Sequence, residues 1–586
     1  MKKIIILVAL LFAAANLMAE PIGEQRARQI ASEFFSQCAT RAAGDITLEW
    51  AGDNISESSA TGNALNSSLM YIYNRGTNGG FVVVAGDSNV APIIAYSLDS
   101  TLDTDNMAEA TKAILDAWCC QVESARKAAK PISGTTMRAA TRSNDALLYD
   151  TALWDQEEPY NREAPIIDGE RSLTGCAATA MSILCYYHRW PEKGVGTTPS
   201  YSYSDGYHTH TIESNTLGRK YDYDNMLMNY KNGYTNTQGN AVAALMKDMG
   251  TSLKMMYTPT ASSAYADDVV YAFATYFGYS KGIKLAYGNS YTTEEWQNII
   301  RENIRQYGPT FFAGTGEPGG HAFIVDGFDE GDQFHFNFGW SGNGNGYWRL
   351  PEIDFYASQS AILYLEPDKN GTSTYRDDIV LIPLYNGDEQ VYDGIKSLNT
   401  SYSTGSSFQC LLGGFQNNGI STFDGEIKLV LCDKNDTWKQ EMFTLPTTLE
   451  SGYFSYYRPY VTRTINVSLE EGDRLRIYYK SNNATEWQWA RSSNRATVND
   501  EVLVKASPED MADGLSIKYN SGSDTITFTS KHAAHIVVKD ASSNEVLDTE
   551  NITTLSDYSY TNSNSSAIIC EFSLGSNPYQ LKLKLK

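Results

Sequence analysis

At 586 residues, with 42% apolar, 12% aromatic and 20% charged side chains, the chain is folded protein too long for one core; typical domain sizes divide it into about three to five. Its formal net charge of −23 argues against nucleic acid as a partner, since phosphate binding needs a basic patch, and is read as serving solubility. The 39 tyrosines and 45 glycines suit extracellular β-rich domains better than helical bundles.

Lys2 and Lys3 precede an apolar run from Ile4 to Ala15, and Asn16-Leu17-Met18-Ala19 leads into Glu20. This is a secretory signal of bacterial type over residues 1–19, cut after Ala19; it predicts a protein that is secreted or held at the outer surface or in the periplasm of a bacterium. The apolar run is too short to cross about 30 Å of hydrocarbon, no other stretch is apolar enough to span a membrane, and no cysteine follows the cut to carry a lipid.

Residues 20–143 read as an α+β unit. Ile22, Ala27, Ile30, Ala31 and Phe34 recur at helical spacing, Met70–Tyr73 and Phe81–Ala85 read as strands, and Met107–Lys127 as a second helix. Lys130–Asn144, with Arg138 and Arg142, is basic, polar and poor in apolar residues, which predicts an exposed linker open to proteolysis.

In the next unit, 144–368, Leu173-Thr174-Gly175-Cys176 runs into Ala177, Ala180, Met181 and Leu184 at helical spacing. Cys176 therefore sits at a helix start, where the partial positive charge of the dipole favours a thiolate. Cys185 lies about 13 Å further along the same helix and reads as a packing thiol. Gly319-Gly320-His321 enters the apolar run Ala322–Val325, so a rigid strand holds the imidazole while small residues leave its face open. A thiol of ordinary pKa needs such a neighbour to become a nucleophile. Downstream, Asn337 offers an amide that could orient the imidazole without adding charge, Trp340 could shield that bond, and the glycine-rich 341–346 leaves room for a backbone to approach.

The eight cysteines, Cys38, Cys119, Cys120, Cys176, Cys185, Cys410, Cys432 and Cys570, form neither a dense disulfide framework nor a zinc pattern, although Cys410 and Cys432 could bridge neighbouring strands. His188 reads as a packing or surface residue on the Cys176 helix. His208 and His210 lack an evident third ligand, so no metal site is expected, and His335 shares strand parity with Asn337. From 369 onward, short apolar runs at 378–382, 426–431 and 474–479 alternate with Asn, Gly, Ser and Asp clusters. They predict one or two β-sandwich modules, over 369–505 and 506–586 with a break near Pro508.

Trp154-Asp155-Gln156 with Pro159-Tyr160-Asn161, Gly175–Met181, Tyr186, Trp190 and Pro191, Gly319–Phe323 and Asn337–Trp340, in that order, resemble the streptopain family of papain-fold cysteine proteases. Gly80–Asp87 is similar to that family's inhibitory propeptide. The resemblance covers roughly residues 20–367 and implies an α+β architecture: an inhibitory propeptide over 20–143, then a papain-like cysteine protease domain over 144–368. It implies Cys176 as nucleophile, His321 as general base and acid, and Gln156 as oxyanion donor beside the Cys176 N–H. Asn337 would orient His321 under the cover of Trp340. Phe338 departs from the pattern, standing where the family's best-known member carries tryptophan. No cofactor is implied; the partners are protein or peptide substrates, with an apolar preference one residue before the one whose bond is cut, and the chain's own propeptide as intramolecular inhibitor. Two other readings stand beside a secreted zymogen: a different cysteine acyl transfer of the amidase or transglutaminase kind, and a surface binding protein with an inactive protease domain. The presence of Gln156, Cys176 and His321 together argues against the inactive domain, and the precursor architecture favours the protease.

Overall fold

The computed structural model describes residues 21–38, 44–56, 68–77, 79–128, 146–316, 319–352, 356–386, 389–397, 399, 402–456, 460–504, 515–520, 523, 525–530, 534–552, 556–561, 568–574 and 577–581. The expected signal (1–19), the linker (130–144) and the expected break near 508 lie outside the described residues. Two compact units emerge, 1–376 and 377–586.

In the first unit, helix α1 (Glu24–Gln37) is followed by strands β1 (Ile46–Gly52), β2 (Met70–Arg75), β3 (Phe81–Ala85) and β4 (Ile93–Ser97), then helix α2 (Glu109–Ala128). Every residue of β2 and β3 is buried, because both faces of this small sheet are covered. Tyr71, Tyr73, Val82 and Val84 point to one face, where Ala27, Ile30, Ala31, Phe34 and Phe35 of α1 pack. Met70, Ile72, Phe81 and Val83 point to the other, which shares a core with Ala113, Ile114, Ala117, Trp118 and Val122 of α2. The strand period of two thus sends alternate residues into different cores.

The remainder of this unit contributes β5 (Leu147–Leu148), β6 (Ile166–Ile167), β7 (Glu170–Arg171), α3 (Cys176–His188), β8 (Thr197–Thr198), β9 (Tyr201–Ser204), β10 (Thr209–Ile212), β11 (Asn215–Thr216), α4 (Asn236–Ser252), α5 (Ala266–Tyr276), β12 (Lys284–Tyr287), α6 (Thr293–Tyr307), β13 (Thr310–Gly316), β14 (Gly319–Phe328), β15 (Gln333–Asn337), β16 (Gly346–Arg349) and β17 (Ala357–Leu363). Residues 20–143 share their sheet with the unit that follows. One sheet runs β1-β2-β3-β4-β16-β15-β14-β13-β17-β12, with β5 beside β14, joined where Ala95 and Tyr96 pair antiparallel with Trp348 and Tyr347. The core is also common, since Phe312, Phe323, Phe336 and Trp348 pack in the cluster that holds Ile114 and Trp118. Both α2 and α3 pack on β13 and β14. The unit extends past the expected boundary at 368, because Ser373 Oγ accepts the Lys281 N–H and Asp368 N–H donates to the Gly278 carbonyl.

The second unit is all-β among its described residues. The expected strands form as Ile379–Asn386, Phe423–Cys432 and Arg474–Ser481 within antiparallel sheets. A single core holds Ile427, Leu429 and Ile477 together with Ile526, Phe528 and Ile536, so the segments on either side of the expected break bury their apolar faces together. Cys410 and Cys432 lie in different sheets and no disulfide joins them; Cys432 packs with Tyr478 in a small cluster away from Cys410.

Candidate active site

Cys176 is the first residue of α3, and Gly175 caps the helix at φ 86. A side chain at 175 would be strained there and would meet Met255 Sδ at 2.6 Å, so only glycine lets the chain enter the helix with Cys176 at its tip. The thiol is half-buried and its Sγ accepts the Ala322 N–H at 3.4 Å. Burial raises its pKa, while the N–H groups of Ala322, Ala177 and Cys176 itself pull it back.

His321 precedes Ala322 on β14 and lies opposite Gly314 of β13. Helix start and strand are therefore adjacent, although no hydrogen bond joins Cys176 Sγ to the imidazole. His321 Nε2 is buried with no hydrogen-bond partner. Burial holds the imidazole below its ordinary pKa against a smaller upward pull from Glu109 of α2. Both shifts favour neutral groups, thiol and imidazole, rather than the ion pair a thiol nucleophile needs.

Gln156 reaches the nucleophile loop through its backbone, whose carbonyl accepts the Thr174 N–H at 3.2 Å, two residues before Cys176. Asn337 is not brought to His321. It is buried, its Nδ2 donates to Thr151 Oγ1 and the Ala152 carbonyl (2.9 Å each), and its Oδ1 accepts the Gly339 N–H, so its amide pins β15 to the segment before Gln156. Trp340 does not cover an Asn337–His321 bond either; its indole donates to the Asn106 carbonyl at 3.2 Å. The loop after it is held from the same side: Ser100 Oγ donates to the Gly342 carbonyl, Asp103 N–H to Asn343 Oδ1, and Asn343 Nδ2 to the Asn106 carbonyl. A cavity of about 970 Å³ lies beside this loop, between Asp99, Ser100 and Asp103 on one side and Asp155, Lys231 and His335 on the other.

His335 pairs with Asp326 at 2.5 Å, and Asp326 also accepts from Thr151. Burial opposes a charge on this imidazole, but Asp326 and Asp99 together outweigh it and raise its pKa. His188 is a packing residue as expected, bonded to Tyr279 and pushed down to about 4 by burial. Cys185 is buried, receives the Tyr279 hydroxyl at 3.7 Å and is pushed up to about 12. Sequence reasoning missed Tyr356, whose buried hydroxyl has no partner. Its ring fills the space beside Gly314, and the Cys176 charge contributes to its raised pKa. No local pattern marks it. It missed Glu109 and Asn106 for the same reason. The expectation that His208 and His210 lack a third ligand is corrected, since folding places Asp205 and Asp168 beside them.

Residues 154–348 match the peptidase C10 family. Over those residues the chain is a peptidase of that family. Residues 19–122 of this C10 peptidase match the Spi protease inhibitor family, so the unit that shares its sheet is an inhibitor-type propeptide. It is similar to streptopain of Streptococcus pyogenes, at 28% identity over 394 residues, covering 62% of this chain and 98% of that protein. It is also similar to the thiol protease/hemagglutinin PrtT of Porphyromonas gingivalis, at 27% over 386 residues, covering 62% of this chain and 44% of that protein. Among solved structures, a prointerpain A fragment from Prevotella intermedia matches at 26% identity and a TM-score of 0.45, covering 57% of this chain and all of that one. The chain is a cysteine peptidase made as a zymogen.

Proposed function

We propose that the chain is exported by residues 1–19, and that its mature form cleaves protein and peptide substrates through Cys176 and His321. The supporting observation is the bond from Ala322 N–H to Cys176 Sγ, which sets the residue after His321 against the thiol. From there the imidazole can take the thiol proton, the thiolate attacks the scissile carbonyl, and the imidazolium protonates the leaving amine. Water then hydrolyses the acyl-enzyme with His321 as base. The Gln156 amide and the Cys176 N–H bind the oxyanion. Gln156→Ala is expected to lower kcat about 10²-fold with little change in KM, because the donor acts on charge that develops in the transition state. An unchanged kcat removes Gln156 from the mechanism.

Labelling with a peptidyl epoxide tests the reading. After residues 20–143 are removed, five cysteines remain, and Cys176 alone among them is not buried. The mature enzyme is expected to take one label, mapping to Cys176, and the precursor to take it far more slowly. A label on any of the other four cysteines overturns the assignment.

A further inference from the structure

Two hairpins outside the catalytic centre bring four metal-ligating side chains together. Asp168 stands at the tip of the β6–β7 hairpin, Asp205 and His208 in the turn between β9 and β10, and His210 on β10 opposite Tyr203. One donor atom from each lies within 4.8 Å of every other. Asp205 Oδ1 is occupied by the N–H groups of Tyr207 and His208, and this fixes the carboxylate and turns Oδ2 toward His210 Nε2 at 2.8 Å. We propose that Asp168, Asp205, His208 and His210 form a binding site for a divalent transition-metal ion of the zinc class.

The donor set argues for that class. Two imidazoles and two carboxylates suit zinc and its neighbours, whereas calcium and magnesium favour oxygen throughout. Two carboxylates with two neutral imidazoles carry a charge of −2, matched by one divalent ion. Bonds of about 2.1 Å place tetrahedral donors about 3.4 Å apart, so rotation of these side chains has little distance to close. His210 Nε2 would bind as the tautomer protonated at Nδ1, exchanging its bond to Asp205 for a shared metal.

The placement gives the ion a mechanical consequence. Tyr201 and Tyr203 of β9 donate their hydroxyls to the Met255 and Tyr257 carbonyls, at 2.9 and 2.5 Å. Met255 is the residue packed against Gly175, and Thr258 accepts the Leu173 N–H. The β6–β7 hairpin runs directly into 172–176. An ion joining the two tips would tie both flanks of the nucleophile loop to each other.

Isothermal titration of ZnSO₄ into the untagged full-length Cys176→Ala precursor tests the site without activity as readout, and so independently of the catalytic assignment. One zinc per chain is expected, together with a rise in melting temperature that EDTA reverses. His208→Ala/His210→Ala is expected to abolish both effects. Asp168→Asn, on the other hairpin, should weaken binding at least about tenfold, the lower end of what losing even an outer-shell partner costs. Absence of saturable binding overturns the proposal, as does binding that survives the double histidine substitution.

Discussion

Cys176→Ala should remove casein hydrolysis by at least about 10⁴-fold, the scale seen when a covalent nucleophile is deleted, while the chain folds unchanged. Alanine at the first position of α3 removes a half-buried sulfur whose one bond is a long one from Ala322 N–H, and alanine is the best helix former. Cys185→Ala is the control. That thiol is fully buried, raised to about 12 and bonded to Tyr279, so it supplies no thiolate. Its loss should cost stability, through a small cavity, and leave most activity in the folded fraction. Comparing kcat per folded molecule, with folding followed by melting, separates the two. Activity retained by Cys176→Ala and lost in Cys185→Ala would reverse the assignment.

Legibility followed the range of the interactions. The helix start at Cys176 and the strand behind His321 are written in runs of a few residues, and both form where the pattern places them. The role expected of Asn337 depended on its amide being free to meet the imidazole. Thr151 and Ala152, far away in sequence, occupy that amide instead. The pairing of β4 with β16 was invisible for a similar reason. It is a long-range register between Ala95 and Trp348, and the short run Ile93–Ser97 carries no alternation to announce an edge that receives another strand. That one joint turns two expected units into one sheet. Asp168 went unnoticed beside His208 and His210 because a hairpin tip elsewhere in the chain delivers it.

The same joint bears on latency, and the second expectation concerns it: the uncut precursor is inactive, and Cys176→Ala accumulates with residues 20–142 still attached. The propeptide acts at two places. Helix α2 sits on the His321 hairpin, where Ala113 lies against Gly316 so closely that a Cβ on that glycine would be 3.0 Å away, and the charge of Glu109 on the same helix is felt by the imidazole. Residues 100–106 hold the loop of Trp340. Burial under these contacts shifts thiol and imidazole toward their neutral forms, although the Glu109 charge by itself pulls the imidazole the other way. A cut between α2, which ends at Ala128, and β5, which begins at Leu147, removes the tether and lowers an effective concentration of roughly millimolar to the bulk value. The cut leaves the β4–β16 joint and the packing of Trp118, whose indole donates to the Arg349 carbonyl at 3.0 Å. Activity should therefore follow propeptide release rather than the cut itself, rising on dilution of nicked enzyme. Trp118→Ala, which deletes a large buried contact worth about 3–5 kcal/mol, should make the precursor leaky. A trace of active enzyme added to Cys176→Ala should trim it between about residues 130 and 150, as read by N-terminal sequencing. Full activity with residues 20–142 covalently attached and uncut would overturn the inhibitory role of these contacts and leave the assignment of Cys176 and His321 standing.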